Sequence, residues 1–377
     1  MNIIQPQENT VNTCLTKRND SQLEFSGELP ANPERNYILL TSSKNCNINS
    51  YSLKDKSGKC PEQIGQIKDS WVSKMKITPD GEFLFTASGN YLKQWSMKTG
   101  NLIRDYERVT NDSMISCMDI CPNGNFMLVG YYNGHIEQWS IRMQRLVHDY
   151  GMQHHNSLMD LKITPDGKHF FTSGKDGKIS QFNLKKKKLV KEYIDYQKGD
   201  INCLQITPDS KFLYSASNTD GLKKLDIQKK KLAHSYPELP GGWVNKMAIT
   251  PNGKFLFTGS FEGVINRLCC QTNLLDKHHG KLHHNWVTSL QVSPDGQNVF
   301  SCSWDGNLKH WNGETGQVLK DFVEPHSGEQ IDSMTITEIK HRAEMLEDEI
   351  EDCCGAFSDS HSTDDGMPDK PIKKLKC

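Results

Sequence analysis

Six prolines recur at a fixed interval of 43 residues, at Pro79, Pro122, Pro165, Pro208, Pro251 and Pro294. A period of this length marks a series of stacked supersecondary units. Chain length alone, at 377 residues, would have suggested two or three unlike domains. The residues seven, four and two before each proline are apolar: Val72, Met75 and Ile77 in the first copy, Val287, Leu290 and Val292 in the last. A turn follows each time, as in Thr78-Pro79-Asp80-Gly81 or Ser293-Pro294-Asp295-Gly296. Proline presets φ at the first inner turn position, and Asp or Asn followed by Gly suits the next two.

After the turn comes an apolar strand, for example Phe255–Ser260, then a second turn such as Asp176-Gly177 or Asp305-Gly306. A third strand ends near Trp95, Trp139, Phe182, Leu225, Leu268 or Trp311, and a more polar fourth strand closes each unit. Four short strands joined by tight turns make one antiparallel sheet. Such a sheet cannot bury both faces alone, whereas radial stacking buries them and leaves only short edges.

Over residues 33–338 the period and turn chemistry resemble the WD40 repeat family. The dipeptide that gives the family its name is altered to Trp95-Ser96, Trp139-Ser140, Phe182-Asn183, Leu225-Asp226, Leu268-Cys269 and Trp311-Asn312. The resemblance implies an all-β fold, a β-propeller of four-stranded antiparallel blades. Six full repeats leave two fragments. Tyr37–Leu40 with Asn45, Ile48 and Tyr51 supplies later strands, while Ile331, Met334 and Ile336 fit the first-strand template. The expectation is therefore seven blades, the last made by a C-terminal strand joining the N-terminal fragment, a closure that removes the exposed edge. Residues 1–32 read as a polar arm. Residues 339–354 read as a short acidic amphipathic helix, from the apolar spacing of Ile339, Ala343, Leu346, Ile350 and Cys353, and residues 355–377 as a disordered tail.

Composition removes several alternatives. Lys plus Arg total 45 against 46 Asp plus Glu, so the whole chain carries no strong electrostatic footprint. No apolar run approaches a membrane span, and the first residues do not pair a basic with an apolar segment, so secretion is not expected. Twelve cysteines without a C-x-x-C pair read as reduced thiols. The expected location is cytoplasmic, with cytoskeletal, ciliary or nuclear settings as alternatives.

The resemblance implies a recurring polar set in each blade: a His before the first strand, a Ser or Thr on the second, an Asp in the second turn, and the Trp. This sequence keeps His154, Thr172 and Asp176 in the third repeat, and His283, Ser301, Asp305 and Trp311 in the sixth. Trp95, Trp139 and Trp311 hold the structural Trp position. A His-Asp pair beside a Ser also suggests catalysis, but recurrence with the repeat assigns these residues to scaffolding, and no phosphate loop or nucleophile elbow is present. The pairs His278-His279 and His283-His284 lack a Cys or carboxylate set at metal-ligand spacing. No enzyme, cofactor or metal is expected.

Two surfaces stand out. Trp71, Trp243 and Trp286 lie eight residues before their prolines, a slot held by Met114 in the second repeat; Trp304, Tyr132 and Phe261 share a second slot, at the second turn. In the propeller that the resemblance implies, both slots face one rim around the central channel, where family members dock peptides. Large aromatics recurring in turns point to a protein-binding surface. Glu262, Asp176 and Asp305 nearby favour a basic or neutral segment. At the other end, Arg142, Arg145, Lys185, Lys186, Lys187, Lys188, Lys229, Lys230 and Lys231 gather in the third-to-fourth strand turns of repeats two to four. The reading is a non-catalytic scaffold that binds partner proteins on the aromatic rim, as a subunit of a larger assembly. The alternative is a propeller binding RNA, acidic lipid or acidic protein through the basic turns. The phosphoinositide-binding propellers of this family carry a paired-arginine motif that Asn266-Arg267-Leu268 does not supply.

Overall fold

Apart from Val72, which precedes its strand, every residue of the apolar triplets ahead of the repeat prolines lies on a strand, and each strand–turn–strand copy closes into its own sheet. A computed structural model describes residues 24–25, 36–44, 47–53, 62–68, 71–108, 113–194, 196–236, 238–322, 326 and 328–339. Six four-stranded antiparallel sheets follow the six prolines. Blade 1 runs Lys74–Ile77, Phe83–Ser88, Tyr91–Ser96 and Leu102–Arg108. Blade 6 runs Val287–Val292, Asn298–Ser303, Leu308–Asn312 and Val318–Phe322. Blades 2 to 5 repeat the pattern between them.

The seventh blade is composite. Its innermost strand, Ile331–Ile339, pairs with Asn36–Ser43, which pairs in turn with Asn47–Leu53 and Glu62–Lys68. Register places Thr41 opposite Met334 and Leu39 opposite Ile336. The innermost strand of blade 7 neighbours those of blades 6 and 1, so the ring of seven closes. Two details go beyond the sequence reading. Glu24–Phe25, in the expected arm, adds a fifth strand outside Glu62–Lys68. Ile339, placed at the start of the expected helix, is the last residue of the closing strand; the remainder of that helix and the tail lie outside the described residues.

The repeat turn explains its own sequence. Thr78 Oγ1 accepts from the Phe83 backbone N–H at 3.0 Å and donates to Asp80 Oδ1, which accepts from the Glu82 N–H at 2.9 Å. The same set recurs with Thr164 and Asp166, Thr207 and Asp209, Thr250 and Asn252, and Ser293 and Asp295. The hydroxyl before the proline thus gives the Phe83 N–H an acceptor and holds the turn carboxylate over the next backbone N–H. The third turn position takes a left-handed φ, held by Gly81, Gly124, Gly167, Gly253 and Gly296, and by Ser210 in blade 4.

Apolar clusters sit between blades rather than within them. Cys117, Leu128 and Ile136 of blade 2 pack on Leu158, Leu161 and Phe170 of blade 3. Ile38, Leu40 and Ile48 of blade 7 pack on Val72, Leu84 and Trp95 of blade 1, and Leu39, Ile331 and Met334 meet Phe300, Cys302 and Leu308 of blade 6. Each blade therefore needs two neighbours to bury both faces, which makes closure a requirement of the core.

Candidate interaction surface

The polar sets hold loops to turns. His154 Nε2 meets Thr172 Oγ1 at 2.9 Å and Nδ1 meets Asp176 Oδ1 at 2.9 Å. His283 repeats this with Ser301 at 2.8 Å and Asp305 at 3.2 Å, and Trp311 Nε1 donates to the same serine at 3.2 Å. A carboxylate only accepts, so Nδ1 carries the proton in both. Burial raises the Asp305 carboxyl, but the His283 hydrogen bond and charge and the backbone N–H groups of Asn307 and His284 outweigh it, holding it at about 2. Ser301 and Thr172 are fully buried, closed off from any substrate. Trp95 donates to Thr86 at 3.0 Å, and Trp139 to Glu137 at 2.9 Å. Two further sets escaped sequence reasoning. Gln197 accepts from Ser215 at 2.6 Å, and His326 meets Thr41 at 2.8 Å across the closure. The 18-residue interval between His154 and Thr172 recurs between Gln197 and Ser215, and was the available signal.

The two aromatic slots are adjacent in space because their backbones bond. Tyr132 N–H donates to Met114 O at 3.0 Å, Phe261 to Trp243 at 3.0 Å, and Trp304 to Trp286 at 3.1 Å. Both slots therefore lie at the end where the first strand begins. In blades 3 and 4 the same bonds join Lys175 to Ser157 and Asn218 to Asp200, so the aromatic arc spans only part of the circumference.

Within the arc, the Trp286 and Trp304 rings stack 4.3 Å apart at 18°, and Phe261 stands edge-on to Trp286 at 4.8 Å. The geometry is favourable for aromatic pairs and fixes all three rings. Asp332 joins the arc to blade 1: its carboxylate accepts from Trp304 Nε1 at 3.1 Å and Trp71 Nε1 at 2.7 Å. The Lys44 ammonium lies 5.3 Å over the Trp304 ring. Trp243 stands apart from this stack and is 57% exposed; Met114 is 51% exposed and Trp71 44%. Neither Asp332 nor Lys44 was among the residues singled out from sequence. Asp332 occupies a slot where Asn245 and Thr288 reach the backbone carbonyls of Val287 and Ile331 in the next blade.

Below the arc, the channel is lined by Lys74, Cys117, Asp160, Cys203 and Lys246 from the innermost strands. Burial pushes the Cys117 and Cys203 thiols up to about 12, so both are protonated and weakly nucleophilic at neutral pH. Burial, with Lys246 adding to it, lowers Lys74 to about 8. The histidine cluster divides among separate partners. His278 meets Asn266 at 2.7 Å, His279 packs edge-on to Trp311 at 5.1 Å, and His283 serves the scaffold. Among the described residues, no group of three or more His, Cys, Asp or Glu is placed to hold a metal ion.

The basic turns lie at the end opposite the aromatic slots, since the first strand runs from the rim to the repeat proline and the third strand returns to that end. Asn183 pairs with Lys188 beside the turn, and Leu184 N–H donates to Lys168 O at 2.9 Å. Arg142, Arg145, Lys185, Lys186, Lys187, Lys188, Lys229, Lys230 and Lys231 are all exposed there.

Six stretches, 59–96, 102–140, 146–183, 187–222, 231–266 and 276–312, match the family described as WD domain, G-beta repeat. No curated protein matches the chain.

Proposed function

Because the chain belongs to the WD40 repeat family, whose propellers commonly serve as interaction scaffolds, we propose that it is a non-catalytic scaffold subunit holding a partner segment across the aromatic rim. The observation that carries this reading is the Phe261–Trp286–Trp304 stack, joined to Trp71 through Asp332. Rigid, part-exposed aromatics lose little entropy on docking and supply most of the energy in protein interfaces. Asp332 and Glu262 favour a basic or neutral segment, while Asp176 and Asp305 are committed to their histidines. The protonated channel thiols support a non-catalytic role. The buried free thiols Cys117, Cys121, Cys203, Cys270 and Cys302 support a reducing setting, which we place in the cytoplasm with cytoskeletal, ciliary or nuclear alternatives. No helix among the described residues is long and apolar enough to cross a membrane.

The test is quantitative affinity purification of the full chain against a Trp71→Ala, Trp243→Ala, Trp286→Ala variant, with thermal unfolding measured on both. The expected result is loss of specific partners with the melting transition retained. An unchanged partner set in the folded variant overturns the reading.

A further inference from the structure

The face opposite the aromatic rim carries a different chemistry, independent of the scaffold reading. From 141 to 147, 184 to 191 and 227 to 233 the sequence has neither an acidic nor an aromatic residue. Ten cations stand in these three stretches: Arg142, Arg145, Lys185–Lys188, Lys191 and Lys229–Lys231, with Lys229 lying 3.5 Å from the Asp226 carboxylate just outside them. The turns are contiguous. Lys187 Nζ donates to Val147 O at 3.2 Å, joining blade 3 to blade 2, and Lys191 Nζ donates to Lys230 O at 3.0 Å, joining blade 3 to blade 4.

Two observations say more than that lysines are common in turns. First, the cations are interleaved with exposed apolar side chains: Met143 at 55%, Leu189 at 45%, Val190 at 36% and Leu232 at 46%. Leu189, Val190 and Leu232 open the fourth strands, where blades 5 and 6 also expose Leu274, Leu275, Val318 and Leu319; blades 2 to 4 set theirs directly beside the clustered cations. Second, Lys187 and Lys230 hold left-handed backbone, with φ of 52° and 55°, as does Gln144 at 52°. Blades 1 and 6 place Gly100 and Gly316 at the same turn position, at 71° and 66°. Glycine takes that conformation without cost; Gln144 and, in blade 5, Asn273 hold it too, and blades 3 and 4 place a lysine there.

We propose that this face of blades 2 to 4 docks on an anionic bilayer surface, the lysines and arginines against acidic headgroups and Met143, Leu189, Val190 and Leu232 entering the boundary with the acyl chains. Lysines with interleaved aliphatic groups match an interfacial membrane contact. RNA recognition calls for stacking platforms, and no aromatic lies among these turns. An acidic protein would satisfy the charges but leave the aliphatic side chains without a role.

Sedimentation of the full chain with phosphatidylcholine vesicles, with and without phosphatidylserine, tests this. The expected result is binding only to the phosphatidylserine vesicles, falling steeply with added salt. Each cation removed from such a surface weakens binding about fivefold. Lys186→Gln, Lys187→Gln and Lys230→Gln together should therefore cost about a hundredfold. Lys187→Gly with Lys230→Gly separates charge from fold: the melting temperature holds or rises while vesicle binding drops about 25-fold. Leu189→Ser with Leu232→Ser should weaken binding at high salt most. Failure to bind phosphatidylserine vesicles at low salt, full binding by the lysine or leucine variants, or capture of single-stranded RNA or poly-glutamate in place of vesicles each overturns the proposal.

Discussion

Trp71 donates its indole N–H to Asp332 at 2.7 Å, although 261 residues separate the two in sequence. The bond crosses the seam where the closing strand meets blade 1. The same carboxylate accepts from Trp304 of blade 6, so one side chain orients two indoles on either side of the composite blade. Removing it in Asp332→Ala frees both N–H groups, and water reaches that of Trp71, which is nearly half exposed. The expected loss of stability is therefore small, about 1 kcal/mol. Partner affinity should suffer more, because docking must then immobilise Trp71, and ordering one such side chain costs up to about tenfold. Asp332→Asn keeps one acceptor oxygen and should fall between. Paired thermal melts and affinity measurements check the prediction; a large stability loss with unaltered affinity would refute it.

Closure predicts a different outcome a residue away. Ile331 is fully buried and Met334 nearly so, packed with Leu39, Phe300, Cys302 and Leu308 at the junction of the two chain ends. Ile331→Ala leaves a cavity where no neighbouring blade can slide in, since each is held on both sides. The expected cost is about 2–4 kcal/mol. Because every blade buries its faces on its neighbours, the loss should appear as a lower urea midpoint for the whole ring, read by tryptophan fluorescence and far-ultraviolet circular dichroism together. A separate early transition confined to one probe would show that blade 7 opens alone.

How much of this was legible in sequence follows from what repeats and what does not. The prolines, the turn residues and the apolar triplets recur, so fold, blade count and closure could be read from them. The aromatic slots were legible for the same reason. What two slots 18 residues apart do to each other was not: periodicity shows that Trp286 and Trp304 share a rim, the backbone bond makes them neighbours, and only the ring geometry shows that they stack, since the same bond leaves Trp243 apart from Phe261. Asp332 and Lys44 were missed because they come from the two halves of the composite blade, where no intact repeat supplies a template. Gln197 was missed because the slot keeps its geometry while changing residue type: an amide does for Ser215 what imidazole does for Thr172 and Ser301.

That substitution leads to a prediction about acid stability. Burial lowers His326 to about 4, and it does the same to His310 and, with Lys277 and Arg267 adding to it, to His279. Each is neutral in the fold and has an ordinary value near 6.5 when unfolded, so the unfolded chain takes up protons that the folded one refuses. The stability these residues allow is complete above about 6.5 and is lost progressively as the pH falls toward 4. The Asp305 carboxyl, held at about 2, adds a second and lower window between its ordinary value of 3.8 and that point. Urea midpoints should therefore decline from pH 6.5 to 4 well before the carboxylates titrate. His326→Gln isolates one contributor. Gln197 already fills the equivalent role in blade 4, bonding the Ser215 hydroxyl, so a glutamine has the chemistry to meet Thr41. The variant should fold and keep most of its neutral-pH stability, yet show a shallower decline between pH 6.5 and 4 than the parent chain. An identical slope would mean that His326 is hydrated enough to titrate normally in the folded ring.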